Sequence, residues 1–276
     1  MKLLFLAIDG LRPDCLLFSN SPTIKNLISK SIYSFDSYID TIPVSGPSWS
    51  CILSGRTENV TKIHNNRTVE NKNFKWKCKN LFSVLNSMNI KCTSLVSSWV
   101  GMKNLVQDCE DTLFIKRKSI KMSDKIVIDE TIKQINNSKE NEFLFLYLNS
   151  VDDVGHKNGF SLKSKKYINH IEYIDSLLNP LITKCIKHNW NIFITTDHGG
   201  VDYELTALGT SIHNQQKKKY LPKRTGTHST NIRQNKRVFQ LYYGKIFRKV
   251  FNSNNKEILE KISCKDIYKN IINSFN

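Results

Sequence analysis

The chain has 276 residues, with 41 Lys+Arg against 24 Asp+Glu and a formal net charge of +17. Hydrophobic residues make up 39% and aromatics 10%, too many for a disordered chain and too few for a membrane protein. No apolar run reaches the roughly 18–20 residues that cross a bilayer, so the composition describes a soluble globular domain able to bury a large core.

In chain order, Met1-Lys2 followed by LLFLAI imitates the start of a signal peptide. The apolar run is only six residues long, and no small-residue cleavage site precedes Asp9-Gly10, so Leu3–Ile8 reads as a buried first strand. Helical patterns follow at Thr23–Lys30, Pro47–Leu53 and Leu81–Met88, then a weaker strand at Ile90–Val96 and a helix at Ser123–Asn136. Phe143–Leu148 and Ile192–Thr196 read as strands on either side of a helix at Lys166–Lys187, and Val238–Tyr243 as a last strand before a helix at Ile258–Asn273. The strand runs are continuously apolar, as in a parallel sheet covered on both faces. Their alternation with helices predicts a doubly wound, mostly parallel α/β fold. We expect a single domain over 1–276, with the basic segment KKKYLPKR inside a loop or lid at about 209–236.

Seven cysteines lack CxxC or other paired spacing, which favours a reducing, cytoplasmic setting over a disulfide framework. The positive charge fits polyanionic partners such as nucleotides or nucleic acid. The lysines are spread along the chain, however, and a codon bias toward Lys and Asn accounts for them equally well.

The chemistry lies at the strand ends, where open parallel sheets bind ligands. LLFLAI runs into Asp9, FLFLYLNSV into Asp152 with His156 four residues on, and IFITT into Asp197-His198-Gly199-Gly200. Each feature alone reads as a cap, a turn or a surface ion pair. Three at one sheet edge point instead to a metal site. Residues 41–56, TIPVSGPSWSCILSGR, place Ser45 and Pro47 at the start of a helix whose N-terminus suits an anionic phosphoryl or sulfuryl group. Ser45 is an ordinary N-cap unless a metal lies close enough to lower its hydroxyl pKa.

This set resembles the alkaline phosphatase superfamily, in particular its type I phosphodiesterase/nucleotide pyrophosphatase branch. The residues that carry the resemblance are Asp9, Ser45 in SGPSWSCILSGR, Asp152 and His156 in DDVGHKNGF, Asp197 and His198 in TTDHGG, and His228 in GTHSTN. The resemblance implies two divalent metal ions, zinc with manganese as the alternative, one on Asp9, Asp197, His198 and the Ser45 oxygen. The other would take Asp152, His156 and His228, with His213 in SIHN competing for the last place. It implies a phosphodiesterase or nucleotide pyrophosphatase acting on a small phosphoester or nucleotide through a phosphoseryl intermediate, with Asn66 holding a phosphate oxygen. A phosphomonoesterase or sulfatase-like hydrolase of the same superfamily is the alternative, and a non-catalytic nucleic-acid-binding protein a more distant one.

Three departures from the family pattern stand out. Ser45 replaces the branch's usual Thr, and Trp49 stands where the sulfatase maturation signal has Arg. Thr61-Lys62 replaces the usual His-Gly, although Asn66 still follows Ser45 by 21 residues. We expect His64, His170 and His188 to be surface or core residues.

Overall fold

A computed structural model of the chain describes residues 1–138, 141–202, 225–253, 259 and 262–276. Seven strands form the main sheet: β1 (Lys2–Ile8), β2 (Ile32–Tyr38), β3 (Lys91–Ser98), β4 (Asp111–Lys116), β5 (Glu142–Leu148), β6 (Asn191–Thr195) and, after a small ladder, β9 (Arg237–Tyr243). Their order is β2-β9-β6-β1-β5-β3-β4. Only β9 runs against its neighbours, pairing antiparallel with β2 and β6. The remaining pairs are parallel, so the sheet is mostly parallel as the apolar runs predict. Val201–Asp202 (β7) and Gly226–Thr227 (β8) make the separate antiparallel ladder.

All five sequence-predicted strands form, but β2 and β4 escape the reading. Ile32–Tyr38 alternates buried and half-buried residues and carries Ser34, Asp36 and Ser37, which breaks a search for continuous apolar runs. Asp111–Lys116 lies at the outer edge and is mostly exposed, so little hydrophobic signal marks it. The helix expected over Ile258–Asn273 begins only at Lys265. Just before it, Ser263 bridges Tyr38 in parallel, with Tyr38 N–H bonded to Ile262 O at 3.1 Å. That backbone therefore extends the sheet edge. Of the expected lid at 209–236, residues up to 224, including KKKYLPKR and His213, lie outside the described residues. The remainder forms β8 and the short helix Arg233–Lys236.

β1 is the keel of the molecule. Side chains alternate across a strand, so Leu4, Leu6 and Ile8 enter one apolar layer while Leu3, Phe5 and Ala7 enter the other. The first layer holds the helices Ile120–Asn136 and Lys165–Lys187; the second holds Ser45–Ser54, Leu81–Ser87 and Lys265–Phe275. Phe5 meets Phe193 at 4.8 Å and Phe145 at 5.1 Å, both edge to face, a geometry aromatic pairs favour.

A buried polar chain fixes the helix Ser150–Asn158, which follows β5. Asp124 accepts from Asn149 N–H at 3.2 Å and Ser150 N–H at 3.1 Å, satisfying the start of the helix. The Ser150 hydroxyl also donates to Asp124 and lies 2.7 Å from His170 Nε2. Burial, reinforced by Lys121, holds the His170 pKa down to about 4 from its ordinary 6.5. Between those values the unfolded chain binds the extra proton, so stability falls as pH drops from 6.5 toward 4. His170→Gln, which keeps a donor for Ser150, should therefore recover on the order of 1–2 kcal/mol relative to the parent between pH 7.5 and 4.5. Urea unfolding at the two pH values checks this; an unchanged gap contradicts it.

Candidate active site

The register of the central strands builds the site. Ile8 of β1 pairs with Leu148 of β5, and Ala7 with Thr195 of β6, so three chains leave the sheet side by side. Asp9 N–H bonds to Leu148 O at 2.9 Å. Gly10 then turns the chain at φ +65° and donates its N–H to Asp197 Oδ1 at 3.2 Å. A side chain is excluded at Gly10, because a Cβ there would stand 2.8 Å from Asp152 Cβ. Asp152 and His156 lie one turn apart on the Ser150–Asn158 helix, with His156 Nε2 3.3 Å from Asp152 Oδ2. The β7–β8 ladder returns the chain to the site and delivers His228 immediately after Thr227. The His228 ring stacks on His198 at 3.6 Å and 11°, and its Nε2 lies 3.0 Å from His156 Nε2.

All three imidazoles are oriented alike. His198 Nδ1 lies 2.9 Å from Gly199 O, His156 Nδ1 3.1 Å from Gly226 O, and His228 Nδ1 2.8 Å from Pro43 O. A carbonyl partner assigns the proton to Nδ1 and turns Nε2 inward with its lone pair, the arrangement seen in metal-binding histidines. The Phe160 ring backs the cluster, edge-on to His156 at 5.3 Å and to His228 at 6.1 Å. It packs so tightly on Gly200 that a Cβ there would meet the ring at 2.3 Å.

Ser45 begins the helix Ser45–Ser54, after Val44 in extended conformation. Its hydroxyl lies 3.3 Å from His198 Nε2. Gly46 N–H donates to Asn66 Oδ1 at 2.7 Å. Asn66 is thereby tied to the start of the Ser45 helix by its acceptor end, which leaves its amide N–H groups as the end able to donate.

The electrostatics call for a cation. Asp9 is 1% and Asp197 0% exposed, and Asp152 is 8% exposed. Burial raises the Asp9 pKa to about 7, against hydrogen bonds from Tyr147 and Trp49 that lower it. Burial, with Asp9 and Asp152 adding repulsion, raises Asp197 well above the carboxylate range. His198 supplies no compensating charge, because burial lowers its pKa to about 3. Asp9 Oδ1 and Asp197 Oδ2 are buried without hydrogen-bond partners, yet lie 3.4 and 3.2 Å from His198 Nε2. Among the described residues, no lysine or arginine pairs with either. Orphaned carboxylate oxygens beside inward-facing imidazole nitrogens make a donor set that fits a divalent metal. Two groups have ligand atoms within 4.8 Å of one another: Asp9 with Asp197 and His198, and Asp152 with His198 and His228.

Of the described residues predicted from sequence, Asp9, Ser45, Asp152, His156, Asp197, His198 and His228 therefore come together at the sheet edge, and Asn66 joins them through Gly46. His64 is exposed, His170 buried in the polar chain above, and His188 caps a helix. Sequence reading missed Trp49 and Tyr147. Trp49 Nε1–H donates to Asp9 Oδ2 at 3.0 Å, and the Tyr147 hydroxyl donates to the same oxygen. Tyr147 is hidden in a continuously apolar strand, and Trp49 registers in the sequence only as a missing Arg.

A model of the family described as type I phosphodiesterase / nucleotide pyrophosphatase matches residues 3–270, and the chain belongs to that family. Its fold matches murine ectonucleotide pyrophosphatase / phosphodiesterase 5 with a TM-score of 0.74 at 16% identity, covering 100% of this chain and 95% of that one. The human counterpart matches with a TM-score of 0.72 at 18% identity and the same coverage. Among curated proteins, the 2,3-bisphosphoglycerate-independent phosphoglycerate mutase of Francisella philomiragia is 37% identical over 81 residues, 29% of this chain. The match spans 15% of that relative's length.

Gly10→Ala should lower stability by roughly 1–3 kcal/mol, the cost of a side chain at positive φ compounded by the clash with Asp152. Denaturant unfolding measures it, and a cost under about 0.5 kcal/mol would contradict the packing at this turn.

Proposed function

We propose that this chain is a two-metal phosphodiesterase that cleaves nucleotide phosphodiester or pyrophosphate bonds through Ser45, as one catalytic domain over residues 1–276. The observation that carries the reading is the Ser45 hydroxyl 3.3 Å from His198 Nε2, beside the orphaned oxygens of Asp9 and Asp197. Asp9, Asp197, His198 and Ser45 would hold one ion; Asp152, His156 and His228 would hold the other. Zinc suits this mixture of carboxylate and imidazole, with manganese the alternative. When bound, the ions supply positive charge that lowers the Ser45 hydroxyl pKa and offsets charge on the phosphoryl and leaving oxygens.

The chain's own groups do the rest. The Ser45 oxygen attacks phosphorus in line, giving a phosphoseryl intermediate and releasing the first alcohol or nucleotide. Water then cleaves the phosphoserine and regenerates the hydroxyl. The Asn66 amide, anchored through Gly46 N–H, donates to a non-bridging oxygen as charge builds there.

Diester rather than monoester chemistry is supported by two arginines among the described residues, Arg12 and Arg117, both of them already engaged. A dianionic phosphate calls for a free guanidinium fork. Arg12, three residues beyond Asp9, is bonded to Asp14 and to Gly200 O; Arg117 grips Asp153, the neighbour of Asp152. A nucleotide substrate is supported by the fold neighbour from mouse, one form of which is described as inactive and in complex with AMP. Among the described residues no helix is long and apolar enough to cross a membrane. The cysteines are free, which supports action in a reducing, cytoplasmic setting.

Zinc-reconstituted protein should hydrolyse bis(p-nitrophenyl) phosphate faster than p-nitrophenyl phosphate and lose both activities to a chelator. Ser45→Ala should reduce kcat by on the order of 10³-fold or more; turnover at the parent rate rejects Ser45 as nucleophile.

A further inference from the structure

Asp9 divides its carboxylate between two environments, and two side-chain donors hold one of its oxygens. Its Oδ2 accepts from both Trp49 Nε1–H and the Tyr147 hydroxyl, while its Oδ1 is buried without a hydrogen-bond partner and lies 3.4 Å from His198 Nε2. Both donors are wholly buried and packed edge to face at 5.7 Å, so each fixes the other. Trp49 comes from the helix that begins with Ser45, and Tyr147 from β5, next to β1. Two elements that frame the site thus converge on one oxygen atom.

We propose that Trp49 and Tyr147 form a two-donor clamp that reserves Asp9 Oδ2 for the protein and presents Oδ1 alone to the metal of the Asp9–Asp197–His198 group. They are positioning residues, because both act through Asp9 Oδ2. A carboxylate with both oxygens uncommitted has two ligating atoms and a freely rotating plane; with Oδ2 pinned, one atom and one orientation remain. Neutral donors also suit the position. An Arg side chain here would form an ion pair with Asp9 and compete with the cation for its charge, whereas an indole N–H orients the carboxylate and leaves the charge available. The Trp that breaks the sulfatase pattern at residue 49 is in this view a functional replacement.

The inference rests on the two-metal reading above, and the test separates the two. Zinc is titrated into metal-stripped full-length protein against a chromogenic chelator, with thermal melting of the stripped protein in parallel. Two tight sites in the parent are required; their absence overturns the two-metal reading itself. Given two sites, Tyr147→Phe, which removes one oxygen and keeps the ring, should weaken one site by about 10–100-fold and the other by less than about threefold. Trp49→Phe should act on the same site, and neither change should weaken zinc further in an Asp9→Asn background. If Trp49→Phe fails to fold, Tyr147→Phe decides alone. Zinc affinities within threefold of the parent at both sites overturn the clamp. So does an equal loss at both sites that follows a lowered melting temperature, because it marks a purely structural role.

Discussion

The structure turns on the buried carboxylates of Asp9, Asp152 and Asp197 gathered at one sheet edge, where among the described residues no lysine or arginine pairs with Asp9 or Asp197. Buried like charges at hydrogen-bonding range are unfavourable by several kcal/mol unless protonated or neutralised. The fold enforces the encounter nonetheless, because β1, β5 and β6 are hydrogen-bonded in a register that ends Ile8, Leu148 and Thr195 beside one another. The interlocked aromatic and aliphatic side chains of the two layers hold that register. Packing energy distributed over the core thus holds carboxylates and imidazoles together at one edge of the sheet, a donor set that fits a divalent cation.

Around this donor set the backbone makes finer choices. Three carbonyls, from Pro43, Gly199 and Gly226, each face an imidazole Nδ1 and so turn Nε2 toward the centre. These carbonyls belong to loops and to the start of β8, and their positions depend on close packing such as that of Gly200 against Phe160. The arrangement of Ser45 follows the same logic. Its helix is tied to Asn66 through Gly46 and to Asp9 through Trp49, so Ser45, Asn66 and Asp9 are set on one frame.

Much of this was legible in the sequence for a physical reason. A strand buried on both faces must be continuously apolar, so a polar ligand appears at once when such a strand reaches the sheet edge. Asp9, Asp152 and Asp197 announce themselves that way, and the αβ alternation follows from the same runs. Parts that obey weaker constraints were invisible. β2 and β4 bury too little to leave an apolar run, and the reversal of β9 leaves no trace in composition. Tyr147 is indistinguishable from core in FLFLYL because its ring is core; only its hydroxyl reaches Asp9. Trp49 read as the absence of another residue, since a sequence shows what a motif lacks but not which oxygen an indole reaches.

The convergence of carboxylates and imidazoles on two cations is tested most directly by anomalous diffraction at the zinc absorption edge from crystals of the zinc-loaded protein. The account requires two strong peaks, one among Asp9, Asp197, His198 and Ser45, the other among Asp152, His156 and His228. Zinc found only on surface histidines, or a sheet edge without an anomalous peak, would contradict it.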